Sequence, residues 1–232
     1  MGHSGKRDRV LSFHEIWTLW HGLDTNKVPP VTANAIKFML ATMQRGIEVR
    51  NMRYSAIKWD EQVWQMETHE TKNRKMHRVP LNKIALSLIQ DVEPFTQRSD
   101  YVFGATRAKV PSKVQDKTLR PSTGSAYSQA IRRCRADLGI DDIRPHDLRR
   151  TGATWITAVG LPKLYAKLIL NHSDGDNDVT GEVYVQYSYD FEKRRAVDIW
   201  AFVLNQIISC KSPTEIYSLD EMREAVRQSG LL

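Results

Sequence analysis

"RPHDLRRTGATWITAVG", residues 144–160, is the stretch on which the reading of this chain turns. Leu148, Gly152, Trp155, Ile156 and Val159 fall on one helical face, Gly160 is a natural stop, and Pro162 opens the next helix. The stretch is therefore a packed helix, and its entrance carries His146, Asp147, Arg149 and Arg150. His146 and Arg149 are three residues apart, so they are surface neighbours at a helix start, where unpaired backbone N–H groups also favour an anion. That outlines a phosphate site, although an exposed basic turn explains a single such motif equally well.

Downstream, "LPKLYAKLILNHSDG" (161–175) continues the helical pattern. Leu161, Leu164, Leu168 and Ile169 are expected to form its buried stripe, with His172 in line with them and aimed inward at the core or a cleft. Upstream, "ATMQRGIEVRNMRYSAIKWD" (41–60) sets Arg45 and Glu48 at i and i+3, so that the acid can hold the arginine; in isolation this is an ordinary surface ion pair.

Around these segments the chain reads as mainly helical. Ser12 and Glu15 form a capping box ahead of Ile16, Leu19 and Trp20, and a second helix places Ile36, Met39, Leu40 and Met43 on one face. Between Ile57 and Val79 the period shifts towards alternation, which predicts a small antiparallel hairpin or meander with a polar, lysine-bearing turn. Further helices are expected at about 81–91, 122–138, 189–209 and 218–228, besides those at 146–159 and 162–171. The loop from Gly104 to Pro121 lacks hydrophobic periodicity. The predicted fold is one mainly α domain with a small antiparallel sheet, at 8–210, preceded at 1–7 by "MGHSGK" as a cloning scar and a disordered start, and followed by a helical tail at 211–232.

Composition narrows the function classes. The 232 residues are 41% hydrophobic, enough for a substantial core, and no apolar run is long enough for a membrane span or a signal peptide. Cys134 and Cys210 form no CxxC pattern, so a reducing, cytoplasmic setting is expected, with neither a thiolate metal site nor a cofactor implied. The net charge of +7 favours a polyanionic partner. Basic runs at 71–78, 106–121 and 131–139 supply candidate DNA contacts, Lys75, Arg78, Lys109, Lys113, Arg132 and Arg133, to which Arg150 of the 144–160 stretch is added. Asp174, Asp176 and Asp178 alternate as in a calcium loop, but an EF-hand needs Gly and Glu where this chain has Val179 and Val185.

"TMQRGIEVRNMRYSAIKW", "ETKNRKMHRVPL", "RPHDLRRTGATW", "LILNHSD" and "VTGEVYVQYSYDFEKRRAVDIW", in that order, resemble the catalytic domain of tyrosine recombinases, the phage integrase family. The resemblance spans about residues 8–210 and is nearest to prophage and genomic-island members. It implies site-specific recombination of double-stranded DNA through a covalent 3′-phosphotyrosine, without metal or ATP. It also implies a homotetramer on DNA, a monomer when free, and an N-terminal DNA-binding part that precedes this domain in its relatives.

Residue by residue, the resemblance makes Arg45 the first catalytic arginine, Glu48 its supporting acid, and Lys72 the hairpin-turn lysine, with Lys75 as an alternative. His146 and Arg149 match His-x-x-Arg, and His172 matches the later histidine. Tyr184 matches the nucleophile, with Tyr187 and then Tyr189 as rivals because "DGDND" lengthens the preceding segment. Arg150 is left a supporting or backbone-contact role. The competing readings are a type IB topoisomerase, a non-catalytic DNA-binding module and a metal nuclease built on the two histidines. The first is separated by supercoil relaxation without strand transfer, the last by sensitivity to EDTA.

Overall fold

The structure, a computed structural model, describes residues 7–25, 28–96, 99–104, 121–172 and 188–232. Nine α-helices and a three-stranded sheet are assigned among them. The first helix, α1 (Phe13–Thr25), starts at the predicted capping box: Ser12 N–H donates to Glu15 Oε2 at 2.9 Å and Glu15 N–H to Ser12 Oγ at 3.2 Å.

The second helix, α2 (Pro30–Thr42), is the hub, and here the expectation of a single apolar face falls short. Val31, Ala33, Ala35, Ile36, Phe38, Met39, Leu40 and Ala41 are all buried, because the helix packs against α1, α3 (Gly46–Asn51), α4 (Lys83–Thr96), α5 (Ala126–Cys134), α6 (Pro145–Ala158) and α8 (Asp190–Ile208). A helix enclosed on every side carries apolar residues all round. Its one lysine, Lys37, is buried but pairs with Asp24 at 2.6 Å and lies over the Trp20 ring.

The predicted meander is present as β1 (Ile57–Lys58), β2 (Val63–Met66) and β3 (His77–Pro80), antiparallel in the order β1-β2-β3. Trp64 pairs with Val79 and Met66 with His77, so the buried side chains of neighbouring strands share a face. That face joins the helical core, where Phe38 lies against Trp64 and Phe103. The turn between β2 and β3 carries Lys72 and Lys75, both exposed.

Two outer segments are stitched to the core. Residues 7–11 run along α6: Leu11 N–H donates to Thr151 Oγ1 at 3.0 Å, and Trp155 Nε1 donates to Leu11 O at 2.8 Å. At the other end α9 (Leu219–Gln228) seats on α8, with Met222 and Val226 fully buried and Arg223 Nε donating to Ala158 O at 2.8 Å. The tail thus packs on its own chain.

Some sequence expectations need correction. The short helix α7 (Lys163–Ile169) buries Ala166 and Ile169, followed by Leu170, whereas Leu164 is 51% exposed and Leu168 half-buried. His172 does not continue that stripe, because α7 has ended and Asn171 turns through a positive φ of 46°. The exposed histidine faces a surface cleft instead of the core. No described helix is long and apolar enough to cross a membrane.

Candidate active site

The site forms where the C-terminal ends of α2 and α7 meet the entrance of α6. Helix C-termini leave carbonyls without intrahelical partners, and here buried side chains fill that need. Arg149, 2% exposed, donates from Nη1 to Met43 O at 2.8 Å and from Nη2 to Leu170 O. Gln44 Nε2 donates to Thr42 O and Ile169 O at 2.8 and 3.0 Å. From β3, His77 Nε2 donates to Ile169 O at 3.1 Å. Four consecutive-pair carbonyls, 42 and 43 on one helix end and 169 and 170 on the other, are thereby clamped together, with Arg149 at the centre.

This arrangement leaves Arg149 a cation without a carboxylate partner among the described residues. Burial, reinforced by the charge on Arg45, lowers its pKa to about 9, still protonated at neutral pH. The partial negative charge of the two helix ends steadies the guanidinium without neutralising it.

Arg45 precedes α3, and Glu48 holds it as the spacing predicts. Glu48 Oε1 accepts from Arg45 Nη1 at 2.7 Å and Oε2 from the Arg45 N–H at 2.9 Å, the carboxylate being almost wholly buried. Arg45, His146 and Arg149 line one cleft of about 280 Å³ together with Gln44, Arg50 and Tyr127. A second cleft beside it shares His146 and Arg149 and adds Arg150, Lys163 and His172. Four of the predicted residues are thus brought together: Arg45, His146, Arg149 and His172. Burial, then the charges of Arg149 and Arg150, hold the His146 imidazole below its ordinary pKa, so it is neutral at pH 7.

Asp147 supports this entrance from behind. Its carboxylate is 1% exposed and accepts from the Arg144 N–H at 2.9 Å, Arg150 Nη1 at 3.0 Å and Arg7 Nη2 at 2.7 Å. Arg150 is consequently a structural partner of Asp147. Arg78, predicted to face DNA, is similarly engaged: it donates to Asp190 Oδ2 at 2.7 Å, to Gln65 at 3.1 Å and to Glu61, which binds the sheet to α8. Arg132 and Arg133 are exposed on α5. Lys72 is exposed in its turn, and among the described residues no hydrogen bond or ion pair places it against the arginines. Tyr184 and Tyr187, Lys109 and Lys113, and the three aspartates of the acidic stretch lie outside the described residues.

Sequence reasoning missed His77, Gln44, Arg50 and Tyr127. The first two act on carbonyls of a helix remote in sequence, and Arg50 sits on a six-residue helix too short to show a period. Among the described residues no cluster of His, Cys, Asp or Glu is placed to hold a metal.

The chain is 25% identical over 183 residues to the prophage integrase IntA of Escherichia coli K12, an alignment covering 79% of this chain and 41% of that protein. Its fold is similar to the lambda integrase catalytic core, with a TM-score of 0.55, 16% identity, and coverage of 72% of this chain and 96% of that one. It is also similar to lambda integrase in a tetramer bound to a Holliday junction, with a TM-score of 0.54, 17% identity, and coverage of 75% and 48%. The chain spans about two-fifths of the length of the curated relatives it matches. The model of the phage integrase family matches residues 9–189, more than three quarters of the sequence, and the chain belongs to that family.

Proposed function

We propose that residues 8–210 are the catalytic domain of a site-specific DNA recombinase that cuts and rejoins double-stranded DNA through a covalent 3′-phosphotyrosine. The observation that carries this reading is the paired arginine cleft: Arg149 is buried on carbonyls alone, and Arg45 is oriented by one carboxylate. Two adjacent guanidiniums with a single acid between them are short of negative charge, and a phosphodiester supplies it on two nonbridging oxygens that a planar guanidinium fork can bridge.

In this reading Tyr184 attacks the scissile phosphorus. The P–O5′ bond breaks, the 3′ end becomes a phosphotyrosine and a 5′-hydroxyl leaves. His146, neutral at pH 7, is suited to take the phenolic proton. Arg45, Arg149 and His172 donate to the nonbridging oxygens as charge redistributes, and Lys72 protonates the departing oxygen. Attack by the 5′-hydroxyl of another strand reverses the step, because the phosphotyrosine ester conserves the bond energy of the phosphodiester. Assembly as a homotetramer on DNA from free monomers belongs to the same proposal, supported by the tetrameric state of the lambda integrase complex.

The test is a nicked suicide duplex carrying the recombining ends of the host element, incubated with the protein in EDTA. A covalent protein–DNA complex is expected, and Arg149→Ala should reduce its rate by orders of magnitude. Near-normal trapping by that variant refutes the role given to Arg149, and an EDTA-sensitive product without covalent attachment refutes the mechanism.

A further inference from the structure

The cleft that holds Arg45 continues to a second basic position. Arg50 lines it with Gly124, Tyr127 and Ser128, and no carboxylate pairs with it among the described residues. Its Nε is buried without a hydrogen-bond partner. Its Nη1 lies so near the Gly124 backbone that a Cβ there would meet it at 3.1 Å. On the same wall the Tyr127 hydroxyl, on a side chain 5% exposed, also makes no hydrogen bond of good geometry; its neighbour Ser122 Oγ is turned to Phe103 O, to which it donates at 2.8 Å. Burial raises the Tyr127 pKa, so this group stays a protonated donor.

Buried donors are nearly always satisfied in native proteins, and two left open beside a cationic cleft mark a place where an acceptor arrives. The acceptor must be anionic, to meet a guanidinium with no acid of its own, and must offer several oxygens, to serve both Nε and the phenol. A phosphodiester has both properties. We propose that Arg50, backed by Tyr127, is a second backbone-phosphate site, one that holds the phosphate next to the scissile one and so sets the register of the strand over Arg45 and Arg149. This assignment rests on the recombinase reading above.

The experiment is a methylphosphonate scan. Nicked suicide duplexes, each with one neutral methylphosphonate at a position flanking the scissile phosphate, are cleaved by the full chain and by Arg50→Met, Arg50→Lys and Tyr127→Phe. For the unsubstituted chain, one flanking position should slow cleavage about 10- to 100-fold, the worth of a charged hydrogen-bond pair. Arg50→Met should be slowed by a similar factor on unmodified DNA and no further on that one duplex, while Arg50→Lys regains part of the rate. Because both donors are unsatisfied in the free protein, neither Arg50→Met nor Tyr127→Phe should lower the melting temperature, whereas a purely structural role predicts a loss. Wild-type rates from Arg50→Met, or undiminished sensitivity of that variant to every methylphosphonate, overturn the second site and leave the recombinase reading standing. Should Arg50→Met fail to fold, a flat scan with the unsubstituted chain overturns it equally. No cleavage of any duplex by the unsubstituted chain overturns the recombinase reading, and the DNA assignment with it.

Discussion

His77 makes the pH dependence of stability a test of the carbonyl clamp. The ring is 1% exposed, donates to Ile169 O, and has its pKa pushed down to about 3, first by burial and then by the charge on Lys193. In the unfolded chain the same imidazole titrates near about 6.5. Above that value neither state binds the proton and the residue is silent. As pH falls below it, the unfolded state takes up a proton that the folded state refuses, so folding stability declines towards about pH 3, by up to ~1.4 kcal/mol per unit. Between about pH 7.5 and about pH 5 the loss comes to about 2 kcal/mol. His77→Gln keeps an N–H for Ile169 O but cannot titrate. Urea unfolding of both proteins at the two pH values isolates the contribution, since His146 and the carboxylates titrate in both and cancel. The expected result is that the unsubstituted protein loses about 2 kcal/mol more than His77→Gln on acidification. Equal losses would show that His77 accepts a proton in the folded state, and that the clamp does not depend on a neutral donor at this position.

Two further substitutions probe how the site is held. A Cβ added in Gly152→Ala would meet Met43 Cγ at 2.5 Å and Trp200 Cε2 at 3.3 Å, and Trp200 is itself fixed through Leu40 O. The change should destabilise by about 1–3 kcal/mol and, by moving the Met43 carbonyl that receives Arg149, slow DNA cleavage as well; an unaltered melting temperature with normal cleavage contradicts this packing. Asp147→Ala removes the acceptor shared by Arg7, Arg150 and the Arg144 N–H, and should cost about 1–3 kcal/mol in chemical denaturation. Because Arg7 lies on the segment that leads into the domain, that variant should also loosen residues 7–11, read as faster amide exchange at Leu11, and unchanged exchange there argues against the strap.

Elements whose signals are local were legible in the amino-acid sequence. The α6 helix is announced by its apolar face and by Gly160 just past its end, and α1 by the Ser12–Glu15 box. The Arg45–Glu48 pair was legible for the same reason, being one helical turn apart. What lay beyond reach depended on contacts between remote segments. Nothing near Arg78 announces that Asp190, 112 positions away, will engage it, and nothing near Arg149 shows that its hydrogen bonds go to the ends of two other helices. The inward aim expected of His172 assumed that α7 continues; its stop at Ile169 and the turn at Asn171 redirect the histidine to the cleft. The all-round burial of α2 likewise follows from its neighbours, not from its own period.

The residue to which DNA becomes attached is the most direct test of the proposed chemistry. The covalent complex formed on the suicide duplex is digested with protease and nuclease, and the nucleotide-bearing peptide is sequenced by mass spectrometry. The adduct is expected on Tyr184 and should disappear in Tyr184→Phe, with DNA binding retained. An adduct on Tyr187 or Tyr189, or on a residue that is not a tyrosine, contradicts this assignment.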